Sequence, residues 1–306
     1  MSVSEPYRDS GKKLAVKNGP RALHSPKPQQ WTNVVTPQRA LFSLPLSELW
    51  KYRDLLMLLV YRDFVAMYKQ TILGPLWFII QPLLTSLVFT FIFGNIARIS
   101  TDGLPQIVFY FAGITCWTYF AETLTKTSET FRSNAHIFGK VYFPRMIVPL
   151  SIVVSNLMKF AIQFAIFLGI AGYFWWSGAR VAPNATALLL PVIVAIMGFL
   201  GLGLGMIVSS MTTKYRDLRF LVAFGVQLLM YATPVIYPLS SLPGQYRWII
   251  AANPMTPLVE CFRYGFLGAG TFEPLLLMYS TLTSIFVLVL ATVIFNQIEK
   301  NFMDTV

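Results

Sequence analysis

Residues 186–211 read TALLLPVIVAIMGFLGLGLGMIVSSM, a run without one charged side chain. Coiled as a helix it reaches about 39 Å at 1.5 Å per residue, more than the roughly 30 Å of a bilayer's hydrocarbon core. A helix apolar on every side is either deeply buried or in lipid. The run sets the expectation for the whole chain, an all-α membrane protein.

Working outward, five further stretches are predominantly apolar, near residues 74–95, 106–123, 145–173, 218–238 and 275–296. The sequence therefore predicts six transmembrane helices, with 74–306 as the membrane domain. Composition agrees, with 55% hydrophobic and 12% charged residues, against about 25% charged in ordinary soluble domains. The first long apolar run begins near Gly74, too late for a cleavable signal peptide, so insertion through the first span is expected.

Charge sets the topology. Nineteen Lys and Arg fall on one side of these spans and four on the other, with Lys159 inside the third span. The basic side is expected to be cytoplasmic, which puts both termini there. The net charge of +11 is then largely a topology signal, and no nucleic-acid partner is expected.

Outside the spans, residues 1–40 are polar, Pro- and Lys-rich and without hydrophobic period, as in a mobile cytoplasmic tail. Residues 41–73 are expected to form an amphipathic interface helix and a connecting loop. Leu49, Trp50, Leu55, Leu56 and Leu59 there alternate with Glu48, Lys51, Asp54 and Arg62. The loop 122–146 mixes Phe131, Phe138 and Phe143 with Arg132, Asn134, His136, Lys140 and Arg145, as in an amphipathic helix that also meets a partner. Residues 239–274 are apolar in pieces too short to span, which predicts outer re-entrant or interfacial helices before the last span.

Motifs for chemistry are missing. The chain has no G-x-x-x-x-G-K-[ST] phosphate loop, no Asp-x-Asp, no H-E-x-x-H and no G-x-S-x-G. Glu122, Glu260 and Glu273 read as isolated acids, and Cys116, Cys261, His24 and His136 form no metal set. No catalytic residue, metal or cofactor is assigned to the chain, and a membrane-embedded glycan transferase stays only as an alternative. Lys159, near the middle of the third span, either contacts an anionic substrate group or has a structural role, in an ion pair or bonded to backbone carbonyls, and the structural role is favoured. Gly201 and Gly205 form a G-x-x-x-G, read as close helix packing with a weaker pointer to dimerisation. Trp77, Phe78 and Tyr231, with Gln81 and Lys159, are candidates for lining a channel.

Several motifs resemble polysaccharide-type ATP-binding cassette permeases, which export O-antigen, capsular polysaccharide or teichoic acid. Tyr68-Lys69-Gln70-Thr71-Ile72-Leu73-Gly74-Pro75-Leu76-Trp77, followed by Gln81-Pro82-Leu83, resembles that family's first span. Leu49 to Leu56 with Arg62-Asp63 resembles its interface helix, and Lys140-Val141-Tyr142-Phe143-Pro144-Arg145 the end of its cytoplasmic gate helix. Tyr215-Arg216-Asp217 resembles its second cytoplasmic loop, and Asn253-Pro254-Met255-Thr256 with Glu260 and Arg263 its outer re-entrant region.

The resemblance implies a non-enzymatic half-transporter in the cytoplasmic (inner) membrane. It implies a homodimer above two copies of a separate ATPase subunit that binds ATP and Mg, with lipid-linked polysaccharide as cargo. On that reading Arg62, Tyr68, Lys69, Thr71, Leu73 and Gly74 help receive the lipid anchor, and the loop among them either does this or transmits the ATPase's motion. Arg132, Asn134, His136, Lys140, Tyr215, Arg216 and Asp217 then meet the ATPase.

Overall fold

The computed structural model describes residues 46–69, 72–138, 143–212, 215 and 217–302. The expected tail 1–40 lies outside the described residues, as do Thr71, Lys140 and Arg216. All regular structure among the described residues is helical.

Two helices come before the bundle, α1 (Leu46–Lys51) and α2 (Arg53–Tyr68). A 3-10 turn, Gly74–Leu76, then leads into α3 (Trp77–Phe89), which continues as a π-helix over Thr90–Ile96. Next come α4 (Gln106–Ser128), two single-turn helices α5 (Thr130–Ser133) and α6 (Ala135–Phe138), and α7 (Ile147–Trp176). A 3-10 turn, Ala185–Leu189, opens α8 (Leu190–Thr212), followed by α9 (Leu218–Tyr231). The chain closes with α10 (Gly244–Ala251), α11 (Met255–Leu267) and α12 (Pro274–Phe302).

Five helical stretches among the described residues are long and apolar enough to cross a membrane: Gly74–Ile96, Gln106–Ser128, Ile147–Trp176, Ala185–Thr212 and Pro274–Ile298. The expected sixth, 218–238, is not one continuous helix. Its helical part, α9, has 14 residues, about 21 Å by the helical rise. The chain then runs through turns, where Pro234 has no N–H with which to continue a helix. The loop after α4 also differs from expectation. In place of one amphipathic helix it forms the short α5 and α6, split at Asn134, which bonds back to the Thr130 carbonyl.

Helix α2, the expected interface helix, buries Leu59 and Val60, and Leu59 belongs to a core shared with Val148 and Ile152 of α7. Its other side mixes Arg53, Asp54 and Arg62 with exposed Met57, Leu58 and Tyr61, so charge and apolar surface are not cleanly separated.

Helix α4 is the centre of the bundle, buried along most of its length against α7 and α8. In α8, Gly201 and Gly205 lie one turn apart on one face, and Gly203 points the other way. A Cβ at Gly201 would lie 3.1 Å from the Phe120 carbonyl of α4, and one at Gly203 3.1 Å from Leu288 Cα of α12. The G-x-x-x-G motif is therefore used inside the protomer, letting α8 sit close between α4 and α12.

At Gly205 a Cβ would fall 2.5 Å from Thr127 Cβ and 2.8 Å from the Leu124 carbonyl. Gly205→Ala should force α4 and α8 apart, costing about 1–3 kcal/mol, read as a lower melting temperature in detergent. Gly225→Ala, with nothing within 4 Å of the added Cβ, should leave that temperature unchanged.

Candidate functional site

The loop into the first span is built around Gly74. Its φ of +50° lies in the left-handed region, where a side chain is strained, so glycine lets the chain turn from α2 into α3. Lys69 caps α2 and is exposed, as are Leu73 and Trp77. Arg62 is also exposed, but its guanidinium pairs with neighbouring Asp63 at 2.7 Å. Tyr68 ends α2, and its side chain lies outside the described residues. Gln81 is exposed one turn into α3.

Phe78 departs from the expectation of a channel-facing ring. It is buried within the protomer, with its ring centroid 6.4 Å from that of Phe64 on α2. Tyr231, the last residue of α9, is exposed, and its carbonyl accepts a bond from the Tyr237 hydroxyl at 2.9 Å.

Behind Phe78 lies a charged junction of three helices. Lys159 of α7 pairs with Glu122 of α4, and its ammonium stands 5.2 Å over the Phe78 ring. Lys126, one turn along α4, lies 3.2 Å from Glu122 and donates to Asn156 Oδ1 at 2.9 Å. Asn156 in turn donates to Thr123 Oγ1 at 3.2 Å, and Gln163 reaches the Phe78 carbonyl at 3.5 Å. The ion-pair reading of Lys159 thus holds. Glu122, which reads as isolated in the sequence, is its partner. The available signal was a lysine and a glutamate on consecutive antiparallel spans.

Of the two segments expected to meet an ATPase, the first is tied to the end of α8, which leads into the second. The Thr212 hydroxyl donates to the Ser128 carbonyl at 3.4 Å, and the Phe131 amide donates to Ser209 Oγ at 3.3 Å. Phe131 also stacks on Phe295 of α12, at 4.6 Å between centroids. With the phenylalanines turned inward, Arg132 and His136 point outward, while Asn134 is buried. Tyr215 and Asp217 are exposed on the neighbouring segment.

At the opposite end, α10 and α11 form a cap over the bundle. Arg263 of α11 is buried and donates to the carbonyls of Pro234 and of Val235, the latter at 2.7 Å. Its guanidinium lies 3.7 Å over the Phe109 ring of α4. Glu260, 3.7 Å from Arg263, accepts from the amides of Leu239 at 3.3 Å and Thr271 at 3.0 Å. Asn253 ties the α10–α11 joint to Thr233 Oγ1 at 2.8 Å. The Asn184 side chain straps the preceding loop to the Tyr264 carbonyl at 2.8 Å. Sequence reading placed Glu260 and Arg263 in this region but gave them no role; they are the ties that hold the irregular chain after α9.

Among the described residues no cluster of His, Cys, Asp and Glu is built to hold a metal ion. Arg263→Gln should strand Glu260 and two carbonyls, costing about 3–5 kcal/mol, seen as a lower melting temperature and faster proteolysis at 239–274. Arg263→Lys should not restore stability, because one ammonium lacks the planar fork that serves both carbonyls and the ring.

The family profile of ABC-2 type transporters matches residues 54–267, from α2 through the charged junction to the end of α11. The O-antigen export system permease protein RfbA of Klebsiella pneumoniae is 29% identical over 252 residues, covering 82% of this chain and 94% of the relative. The protein of the same name from Myxococcus xanthus is 29% identical over 262 residues, covering 85% and 98%. The polysialic acid transport protein KpsM of Escherichia coli is 22% identical over 216 residues, covering 69% and 82%. The profile takes in most of the chain, and the chain belongs to the ABC-2 type transporter family.

Proposed function

We propose that this chain is the membrane-spanning permease subunit of an ATP-driven exporter that moves lipid-linked polysaccharide, O-antigen foremost, across the cytoplasmic membrane. The observation that carries this is family membership combined with near full-length similarity to two relatives named as O-antigen export permeases. Capsular polysaccharide is the second reading, favoured by the similarity to a polysialic acid transport protein.

On this reading the end bearing Lys126, Arg132, Arg145 and Arg219 faces the cytoplasm, as does each terminus. Helix α9 and the turns after it make the sixth crossing, with α10 and α11 as the outer re-entrant cap. Two copies of this chain form the conduit. In a single protomer α9 has no buried residue, leaving Phe220, Leu221, Phe224, Leu228 and Tyr231 for a second copy or lipid.

ATP and Mg bind to a separate ATPase subunit, also in two copies. It docks against Arg132, His136, Tyr215 and Asp217, with Lys140 and Arg216 in the same segments. The loop of Lys69, Leu73 and Gly74 beside Trp77 receives the lipid anchor. Motion of the ATPase reaches the bundle through α5 and α6, whose phenylalanines are set into the core with α8 and α12.

The tagged permease should co-purify at equal stoichiometry with a protein carrying a phosphate-binding loop. Arg132→Glu combined with His136→Glu should cut the recovered ATPase by about tenfold, the scale of one or two lost interface contacts. Deleting the permease should abolish surface display of the glycan; an unchanged surface glycan would sink the export reading.

A further inference from the structure

Two ammonium groups and one carboxylate meet between α4 and α7, so the junction holds one more positive charge than negative. Next to hydrocarbon an uncompensated ammonium is costly. The two lysines are not equivalent. Lys159 is the inner one, its side chain 12% exposed, paired with Glu122 Oε1 and covered by the Phe78 ring.

Lys126 is the outer one, 38% exposed. Its directed bond goes to Asn156, while its 3.2 Å approach to Glu122 Oε2 is an ion pair without hydrogen-bond geometry. An ammonium has three N–H donors, so the surplus charge and the free donor capacity both fall on Lys126. It sits two residues before the end of α4, about 3 Å along the axis. Glu122 lies one turn deeper.

We propose that Lys126, held by Asn156, binds the phosphate headgroup of a membrane lipid. Building on the export reading above, that lipid is the anchor of the cargo. The charges account for the exchange. Without lipid, Glu122 is shared by two ammoniums. When a phosphate accepts from a free N–H of Lys126 it takes over the ion pairing that Glu122 Oε2 gave at 3.2 Å, the carboxylate keeps Lys159, and two balanced pairs replace an unbalanced triad. Glu122 acts as a stand-in counter-ion, released from Lys126 by the ligand. The junction abuts Phe78, in the first turn of α3 next to exposed Trp77, so a headgroup on Lys126 lies close to the mouth of the first span.

This arrangement gives opposite signs to two substitutions. Lys126→Gln removes the receiving cation and weakens lipid binding. Glu122→Gln removes the competitor and strengthens it. A cluster that serves only to hold α4 to α7 predicts loss or no change in both.

The test is native mass spectrometry of the full-length protein in mild detergent, titrated separately with polyprenyl phosphate, phosphatidic acid and phosphate-free polyprenol. Lys126→Gln should lower affinity for the phosphate-bearing lipids about tenfold, the scale of one lost charge-assisted contact. Glu122→Gln should raise it about threefold or more, and polyprenol should bind weakly to all variants. Lys51→Gln, which removes an exposed cation of α1, controls for loss of net charge.

If Glu122→Gln does not fold, the Glu122→Gln/Lys159→Gln pair removes one charge of each sign and should keep binding. Unchanged affinity in Lys126→Gln, or lost affinity in that double variant, overturns the site. Tighter binding of polyprenyl phosphate than of phosphatidic acid supports a cargo anchor; equal binding overturns that assignment while keeping the headgroup site. Wild-type export of glycan with Lys126→Gln affinity unaltered sinks the site alone. Absent glycan export by the wild type sinks the export reading, whatever the lipid titrations give.

Discussion

Hydrocarbon offers no hydrogen bonds, so each backbone group or charge placed at membrane depth must find its partner within the protein. Burial inside the protein puts the same demand on the cap after α9. Once the chain leaves helical geometry near Ala232, the carbonyls of Pro234 and Val235 lose the helical donors they would have had. Arg263 supplies replacements from α11, and Glu260 accepts the amides of Leu239 and Thr271 on either side. The pair is fully buried. A buried ion pair alone is weak evidence of stability, but this one also satisfies two carbonyls and two amides of the backbone.

The same constraint acts on Lys159, which would be expensive alone in the third span. It is tolerated because α4 brings Glu122 against it and α3 lays an aromatic face under it. Between these charged points the bundle is held by close backbone approach, since apolar burial gives helices little drive to associate in lipid. Glycines on both faces of α8 allow α4 and α12 to come near.

Helix α4 therefore joins three regions. Its Phe109 lies under the cap's Arg263, its Glu122 anchors the junction, and its Ser128 carbonyl bonds to the end of α8. A rigid element touching the cap, the junction and the basic end can relate events on the two membrane faces. The short helices α5 and α6 are packed continuously into the bundle through Phe131, Phe295 and Met206.

What the sequence by itself determined was the part governed by local hydropathy and charge: the helical class, the five long spans, the lone position of Lys159 and the basic character of one set of loops. The resemblance carried by residues 68–77, 140–145, 215–217 and 253–256 pointed to the transporter family before any geometry. Tertiary structure alone decided the pairings. Glu122 and Lys159 are 37 residues apart, and only the antiparallel packing of α4 on α7 makes them partners. Composition could not tell that α9 stops at Tyr231, because hydropathy continues past the point where Pro234 and the Arg263 bonds turn the chain aside. Nor could it tell that Phe78 faces inward or that the G-x-x-x-G of α8 is taken up by Thr123 and Thr127. Periodicity says which residues share a face, and only the neighbouring helices say what that face meets.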